Sequence, residues 1–390
     1  MALALLIDSS DFRGFPPGGQ LTFSKGLVGA YGRRLALVGV VTDDAPVGRW
    51  TELALGEHRL PFFGLCRRDP AQHKKPVIPA KVRAYLALRR HMPAIRALGV
   101  RNVFMQSPEC LMAGAHYPWR SMCYRCAGVN NELTFSRYHW ARRFAGHFEW
   151  RLFRALKRAD VILASADDDA IDAFVGRSRG LLRRDRVIKF PTRVDTALFH
   201  PKPKAAARKA VGLERHSTLI VACGQINWVK GWDLVLRALA MAREKRSEMR
   251  LVFVGDGEDR PALSRLAKEL AVGEFVTITG SVTRETVAEY LNAADVVAFG
   301  SHREGWSNAM LEALACGCAI VSTDVSGARD LIVPEGNGLI VSGRQPDVFA
   351  EALLRALGFK RALKVSTEIA QRYAVSGLRG ALGAVWSPLS

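Results

Sequence analysis

The feature that most restricts the fold is an alternation of short apolar runs with helical segments along the chain. The runs are rich in Val, Leu and Ile, and the segments between them carry apolar residues at helical spacing. This order is typical of parallel sheets, because two parallel strands need a crossover connection, usually a helix. We therefore predict an α/β protein. The predicted strands are Ala4–Ile7, Leu35–Val41, Asn102–Met105, Val161–Ala164, Thr218–Cys223, 250–254, 276–279 and Val296–Phe299.

A proline-rich connector separates two such blocks. Pro191, Pro201 and Pro203 lie between residues 190 and 217 with a short basic run, and prolines in a polar connector are typical of a domain junction. At 390 residues the chain is long enough for two or three domains. We predict a first domain at 1–195, a second at 196–365, and a helical tail at 366–390 that packs on the first domain.

Two carboxylates frame the most informative segment of the second half. Glu304 and Glu312 are eight positions apart, and Ser307 between them is a predicted N-cap for a helix over 308–316. The free N–H groups of the first helical turn, near Ser307 and Asn308, form an anion site. The glutamates offer acceptors for hydroxyl groups. A phosphate site beside hydroxyl acceptors is what a nucleotide sugar requires.

A lysine and several glycines follow other predicted strands. Lys230 comes after a strand and a tight turn, just before a helix, and so lies at the carboxyl edge of a parallel sheet, where ligands bind. Gly255 opens a Gly-Asp-Gly turn, and Gly18 and Gly19 precede the first helix. Such glycines serve a sharp turn or the close approach of backbone to a ligand, and both interpretations stay open.

These segments resemble the family 4 glycosyltransferases. The stretch SHREGWSNAMLEALACGCAIVSTDVSGARDLI is similar to the E-x7-E region of that family, GQINWVKGWDLVLRA to its GR-x4-KG-x-D segment, and PTRVDTALFHP to its hinge. The resemblance is specific over about residues 218–340 and the hinge. It implies the GT-B fold, in which two Rossmann-like domains face each other across a cleft and the C-terminal helix crosses back to the first domain.

The resemblance also implies roles for individual residues. Lys230 would hold the donor diphosphate, Glu312 the ribose, and Glu304 the transferred sugar; Lys230 and Glu304 are the predicted catalytic residues. Gln225 stands where the family usually has arginine, so it can donate a hydrogen bond but brings no charge. The residues predicted to bind the donor are Gly18, Gly19, Gln225, Lys230, Gly255, Val282, Glu304, Gly305, Trp306, Ser307, Asn308 and Glu312.

The first domain, which is expected to bind the acceptor, departs from the family at one step. The His-Gly of many members corresponds here to Ala127 and Gly128 at the end of CYRCAG, so the histidine is absent. Polar residues cluster beside this step and are either acceptor contacts or ordinary loop residues. They are Arg125, Asn130, Asn131 and Glu132.

Positive charge is concentrated in the first half of the chain. Residues 1–200 carry a net charge of +15 and residues 201–390 only +4, and ten basic residues accompany one acid between 67 and 101. The excess favours an anionic partner such as a membrane surface or a lipid-linked phosphate, or it is only a solvated face. The aromatic helix predicted over 140–158 is expected to pack on the core, with membrane binding as the alternative.

Other features limit the functional class. No apolar run approaches ~18 residues, the apolar start lacks a basic segment, and the cysteine number, seven, is odd. A cytoplasmic protein is expected, either free or peripheral on the inner face of the plasma membrane. Asp167, Asp168 and Asp169 are typical of helix capping, so neither a metal nor another cofactor is predicted.

The predicted function is retaining transfer of a sugar from a nucleotide sugar to a saccharide acceptor, lipid-linked or part of a cell-surface polysaccharide. A nucleotide-sugar epimerase or phosphorylase of the same fold stays an alternative, as does a non-catalytic basic binding protein. No nucleic-acid motif accompanies the basic residues, so no nucleic-acid partner is expected. No G-x-G-x-x-G follows a predicted strand, which argues against a nicotinamide dehydrogenase.

Overall fold

The structure, a computed structural model, describes residues 2–16, 18–70, 76–135, 138–213 and 217–389. It contains two compact units, one formed by Met1–Thr192 with Ser376–Ser390 and the other by Arg193–Val375. The first and last residues of the segment that forms the second unit lie side by side. The Val194 amide donates to the Tyr373 carbonyl at 2.9 Å, and the Val375 amide donates to the Val194 carbonyl at 2.8 Å.

The first unit is built on a mostly parallel sheet. Its strands are Ala4–Ile7 (β1), Leu35–Val41 (β2), Trp50–Leu55 (β3), His58–Arg67 (β4), Asn102–Met105 (β5), Ser121–Cys126 (β6), Val161–Ala164 (β7) and Val187–Lys189 (β8). Over the described residues they form one sheet in the order β3-β4-β2-β1-β5-β6-β7-β8. Neighbouring strands are parallel except β3 and β4, an antiparallel hairpin at one edge. Because β1 pairs with both β2 and β5, the connections after β1 and β5 diverge and leave a crevice at their carboxyl ends.

Helices cover this sheet, and the prediction for its middle strands is confirmed. The four strands predicted in the first half have the predicted bounds, and the central ones are fully buried, as parallel strands with both faces covered should be. The edge hairpin of β3 and β4 was not predicted. The helices are Gly19–Tyr31 (α1), Ala80–Arg96 (α2), Pro108–Gly114 (α3), His139–Arg142 (α4), Ala145–Leu156 (α5) and Asp168–Arg177 (α6).

The single helix predicted over 140–158 is wrong in part. The chain forms α4 and then α5, because Phe144 at their junction has φ −98° and ψ 7° and leaves the helical conformation. The end of α5 packs on the core, where Phe153 and Leu156 are buried. The start of the segment does not, since Trp140 is 57% exposed and Phe144 is 56% exposed. The core-packing interpretation therefore holds for only one end of this segment.

The second unit holds an all-parallel sheet. Its strands are Thr218–Cys223 (β9), Met249–Val254 (β10), Val276–Ile278 (β11), Val296–Phe299 (β12), Ile320–Thr323 (β13) and Gly338–Val341 (β14). In the described part of the chain their order is β11-β10-β9-β12-β13-β14, with apolar clusters on both faces. The helices are Lys204–Ala210 (α7), Trp232–Lys245 (α8), Arg260–Glu269 (α9), Arg284–Ala293 (α10), Asn308–Ala315 (α11), Ala328–Leu331 (α12), Pro346–Ala356 (α13) and Ala362–Arg372 (α14).

The last helix, Leu378–Val385 (α15), belongs to the first unit. The Tyr31 hydroxyl donates to the Arg379 carbonyl at 3.1 Å, and Trp386 Nε1 donates to the Ser121 hydroxyl at 2.9 Å. The Trp386 ring is 1% exposed and lies 5.8 Å from the ring of Phe104. The predicted return of the C-terminal helix to the first domain is confirmed.

Candidate active site

The ends of β9 and β12 bring the loop before α8 into backbone contact with the segment before α11. Gly231 has φ +58°, and a Cβ placed there would lie 1.9 Å from the Gly300 carbonyl oxygen. Arg344 binds the same junction, donating to the Gly300 carbonyl and lying 3.1 Å from Asp233 in the first turn of α8. Only glycine fits this close approach, which fixes the position of Lys230 relative to the loop of Glu304.

Lys230 and Glu304 form an ion pair at this junction. Lys230 Nζ lies 2.7 Å from Glu304 Oε1, with side-chain exposures of 33% and 10%. The Ser301 hydroxyl donates to the same carboxylate oxygen at 2.7 Å, and Asn227 caps the turn by accepting from the Lys230 amide at 3.2 Å. The two residues predicted to be catalytic are therefore in direct contact.

Helix α11 begins beside this pair. Ser307 is its N-cap, as predicted, and accepts from the Met310 amide at 3.3 Å. Glu312 lies in the second turn with 19% of its side chain exposed, and Arg284 is 3.9 Å away. Burial raises the pKa of Glu312 to about 7, while the charge of Arg284 opposes the rise. The second turn of this helix thus holds a carboxyl group whose pKa is close to neutral pH.

The other residues of the second unit that were predicted to bind the donor differ in burial and in contacts. Gln225 is exposed and accepts from Asn227 Nδ2 at 3.3 Å. Gly255 has φ +147°, and a Cβ there would lie 2.0 Å from the Gly224 carbonyl oxygen, so its glycine is required by the packing of two neighbouring loops. Val282 packs, half-buried, against the core. Gly305 and Asn308 are half-buried around the start of α11.

Trp306 has its side chain in the core of the second unit. It is 6% exposed and makes an edge contact with Tyr373, with ring centroids 5.5 Å apart. A Cβ at Gly327 would lie 2.9 Å from the indole. Any contact of this residue with a donor would have to be made by its backbone.

Gly18 and Gly19 lie in the first unit, on the wall of a cavity of about 290 Å³ at the carboxyl ends of β1 and β5. Gly18 has φ +151°, and a Cβ there would meet no atom within 4 Å. The glycine is needed for its backbone angle, and the space beside it is open.

The polar groups of this cavity were not predicted. Asp8 is fully buried and accepts from Gln20 Nε2 at 2.6 Å and from the Ser107 hydroxyl. Glu109 is 4% exposed and accepts from the Ser9 hydroxyl at 2.6 Å. Burial raises the pKa of both carboxyl groups. A sequence signal existed, since Asp8 follows β1 directly and Glu109 comes four residues after β5, but the pairing of β1 with β5 was not foreseen.

Arg125 was predicted as a candidate contact to the acceptor, which requires an accessible side chain, but its side chain is buried. It is 2% exposed, donates to the Ser165 hydroxyl at 2.6 Å, and has its guanidinium 3.9 Å from the centre of the Phe23 ring. Burial lowers the pKa of its guanidinium to about 10. The side chain joins β6 to the end of β7 and to α1, which supports a structural role.

The other three acceptor candidates follow β6 in a loop. Asn130 is exposed, while Asn131 is used by the backbone, donating to the Ala145 carbonyl at 2.9 Å and accepting from the Leu133 amide at 3.0 Å. Glu132 is exposed and paired with Lys81. Asn130 and Glu132 thus keep polar groups at the surface.

Within the described ranges, no group of three or more His, Cys, Asp or Glu side chains is arranged to hold a metal ion. No helix in the same ranges is long and apolar enough to cross a membrane.

A comparison with protein families matches residues 203–371, inside the second unit, to the glycosyl transferases group 1. A D-inositol 3-phosphate glycosyltransferase of Xylanimonas cellulosilytica is 33% identical over 205 residues, which is 50% of this chain and 48% of the relative. The chain spans about half the length of the curated relatives that it matches.

Solved structures match over nearly the whole chain. Sucrose-phosphate synthase from Thermosynechococcus elongatus has a TM-score of 0.79 at 19% identity and covers 99% of this chain and 98% of its own. Anabaena HepE, solved with UDP and glucose, has a TM-score of 0.75 at 17% identity and covers 99% and 100%. These likenesses establish the fold, and the prediction of a GT-B architecture with two Rossmann-like sheets is confirmed.

Proposed function

We propose that this chain is a retaining glycosyltransferase that moves a sugar from a nucleotide diphosphate sugar to a saccharide acceptor. One observation carries the proposal: Lys230 and Glu304 are in contact at the carboxyl edge of the second sheet, beside the N-terminus of α11. A cation, free helical amides and a carboxylate acceptor are thereby gathered where ligands bind in open α/β sheets.

In this proposal the donor diphosphate lies against Lys230 and the first turn of α11. Lys230 is one-third exposed, so its ammonium group can turn from Glu304 to a phosphate oxygen. Glu304 then accepts hydrogen bonds from hydroxyls of the transferred sugar, and Ser301 keeps the carboxylate in place. Glu312, held at the start of the same helix, accepts from the ribose hydroxyls.

The proposed chemistry is substitution on one face of the donor sugar. The bond from the anomeric carbon to the diphosphate oxygen breaks, and the acceptor oxygen bonds to that carbon from the same side. The acceptor proton passes to the departing diphosphate, whose growing negative charge is stabilised by Lys230 and the helix N-terminus. The configuration at the anomeric carbon is retained.

The first experiment identifies the donor. A panel of UDP-, GDP- and ADP-sugars is added to the full-length protein, and the unfolding midpoint is recorded. UDP-sugars are the first choice because HepE, a structural relative, was solved with UDP and glucose. At about 100 times its Kd a donor adds about 2.7 kcal/mol of stability. A panel without any shift contradicts the proposal, and conversion of the donor sugar without an acceptor would favour the epimerase alternative.

The acceptor is proposed to be a lipid-linked saccharide or part of a cell-surface polysaccharide, reached from an anionic membrane surface. The +15 net charge of the first half and the exposed Arg89 and Arg90 support this. Lys74 and Lys75, in the same basic stretch, lie outside the described residues. Sedimentation with neutral and anionic vesicles tests the proposal: salt-sensitive binding to anionic vesicles alone supports it, and equal negligible binding to both contradicts it.

A further inference from the structure

An apolar groove of about 740 Å³ runs along the first unit between α2 and the segment of α4 and α5. One wall is a series of aromatic rings. Tyr138 and Trp140 meet edge to face at 6.1 Å, and Trp140 meets Phe144 in the same way at 6.3 Å. The other wall includes Val82 and Tyr85 of α2. The Tyr138 hydroxyl donates to the Pro76 carbonyl at 3.1 Å and so joins the two sides.

The exposure of this groove is not explained by folding. Trp140 and Phe144 are each more than half exposed, and Val82 is 42% exposed on the facing helix. Burying such side chains would stabilise the fold, and contiguous exposed apolar patches usually mark a binding surface. The break between α4 and α5 places Phe144 outside the core and keeps this wall open.

One end of the groove is cationic. Arg68 and Arg83 line both the groove and the neighbouring cavity of about 290 Å³. Neither makes a salt bridge with any described residue, although both are half-buried. Burial and the nearby charge of Arg83 lower the pKa of the Arg68 guanidinium, with Glu109 opposing. Lys81 and Glu109 also line both cavities, so three basic side chains surround one carboxyl group where the groove and the cavity meet. Two arginines outside any salt bridge in this setting form a site for an anion such as phosphate.

Beyond the arginines the cavity becomes polar. Ser9, Gln20, Ser107 and Glu109 line it, and Asp8 lies fully buried behind them, where it accepts from Gln20 and Ser107. Carboxylates and hydroxyls of this kind accept and donate hydrogen bonds to the hydroxyl groups of a sugar. The first unit therefore presents a hydrocarbon surface, a cationic junction and a hydroxyl-binding cavity in that order.

We propose that the groove binds the hydrocarbon chain of a polyprenyl-phosphate-linked acceptor, with the phosphate between Arg68 and Arg83 and the sugar in the polar cavity. The order of apolar, cationic and hydroxyl-binding surfaces matches the order of groups in such a lipid. A single groove accommodates a single chain, which favours a polyprenyl phosphate over a two-chain phospholipid. The inference rests on the proposed glycosyltransferase function and names its acceptor class.

The test uses geranylgeranyl monophosphate below its critical micelle concentration, titrated into the full-length protein and followed by calorimetry. Comparison ligands are geranylgeraniol, which lacks the phosphate, inorganic phosphate, which lacks the chain, and didodecanoyl phosphatidic acid, which has two chains. The wild type is expected to bind geranylgeranyl monophosphate about tenfold or more tightly than any of the three. Equal binding of the prenyl phosphate and the prenyl alcohol, or tighter binding of phosphatidic acid, would overturn the proposal.

Variants locate the binding. Trp140→Ala should weaken prenyl phosphate binding about tenfold, and Arg83→Gln should remove most of the advantage of the phosphate over the alcohol. Trp150→Ala is the matched control, because Trp150 is 47% exposed on α5 but packs against Arg154 and His147 away from the described groove lining. All three replaced side chains are at least partly exposed, so unchanged unfolding midpoints are expected. Equal losses in Trp140→Ala and Trp150→Ala would contradict the location.

UDP binding, measured on the same samples, separates the two proposals. If the protein binds UDP but not prenyl phosphate, the proposed role of the groove is wrong and the proposed donor site is unaffected. Prenyl phosphate binding without binding of any nucleotide would contradict the glycosyltransferase function instead.

Discussion

The two units carry their candidate sites in different ways. In the second unit, Lys230 and Glu304 are held by backbone contacts that only glycine permits, and the residues around them come from two short sequence segments. In the first unit, the polar cavity and the groove are assembled from segments far apart in the chain, including Ser9, Lys81, Glu109 and Glu132. The proposed donor site is compact in sequence, whereas the proposed acceptor site is brought together only by the fold.

This difference also appears in packing. At Gly231 the backbone of one loop touches the backbone of another, so the geometry of the donor site depends on the fold of the second unit. At Gly18 the space beside the chain is open, so a methyl group there would meet no neighbouring atom. A side chain at Gly231 is thus expected to be far more costly than one at Gly18.

The largest effect is expected from replacing Gly231, and its absence would contradict the difference between the two units. Gly231→Ala places a methyl group 1.9 Å from a carbonyl oxygen at φ +58°, and should destabilise the protein by about 4 kcal/mol or more. Gly18→Ala meets no atom within 4 Å and carries only backbone strain, about 1–3 kcal/mol. Thermal unfolding followed by circular dichroism measures both. Equal midpoints for the two variants would show that the loops around Gly231 are not packed as described.

A smaller effect is expected from Glu304→Gln, which distinguishes the proposed roles of Lys230 and Glu304. Glu304→Gln frees Lys230 for phosphate but removes an anionic acceptor for the sugar, so the affinity ratio of nucleotide sugar to nucleoside diphosphate should fall about tenfold. Calorimetry with both ligands gives the ratio. Glu289→Gln is the control, since Glu289 also pairs with a lysine, Lys202, at 2.5 Å in the same unit. If both ligands change by the same factor in Glu304→Gln, the carboxylate does not face the sugar.

The smallest expected effect is a dependence on pH. With its pKa at about 7, Glu312 is roughly one-tenth ionised at pH 6 and nine-tenths at pH 8, so nucleotide affinity should rise by up to about tenfold between them. In Glu312→Gln, the only rise in nucleotide affinity over this range should be the one caused by titration of the phosphate group. A wild-type profile that matches the Glu312→Gln profile would remove Glu312 from the ribose site.

The same shift affects stability with the opposite sign. The folded pKa of Glu312 is raised, so the folded state holds its proton more tightly than the unfolded chain does. Its contribution to stability is complete below the ordinary glutamate pKa of about 4.3 and is lost as the pH rises through about 7.

Much of the fold was predictable because its strands are buried on both faces. Continuous runs such as Leu35–Val41 and Thr218–Cys223 have no alternative to a covered parallel sheet, and their bounds were predicted to the residue. The hairpin of β3 and β4 was missed because edge strands alternate in burial and carry charges such as Glu52 and Arg59, which is typical of loops as well. The break at Phe144 was missed because helical spacing continues across it.

Some residues of the candidate sites could also be predicted from local sequence patterns, and others could not. The placement of Lys230 and Glu304 at strand ends followed from two local motifs, but their direct contact was not predicted. The burial of Arg125 could not be predicted, since an arginine in an apolar strand normally marks a surface, and its partners Ser165 and Phe23 come from distant segments. The cavity of Asp8 and Glu109 depends on the order of strands in the sheet, which local patterns do not contain.

The most direct test of the donor site is the affinity of Lys230→Ala for the nucleoside diphosphate whose sugar derivative stabilises the wild type most. Loss of one charge-assisted phosphate contact should cost about 1.5–3 kcal/mol, or roughly 10- to 100-fold in Kd. Lys268→Ala, an exposed lysine on α9, should bind as the wild type does. Calorimetric titrations in which Lys230→Ala and Lys268→Ala both match the wild type would contradict the assignment of the donor site to the junction of Lys230 and Glu304.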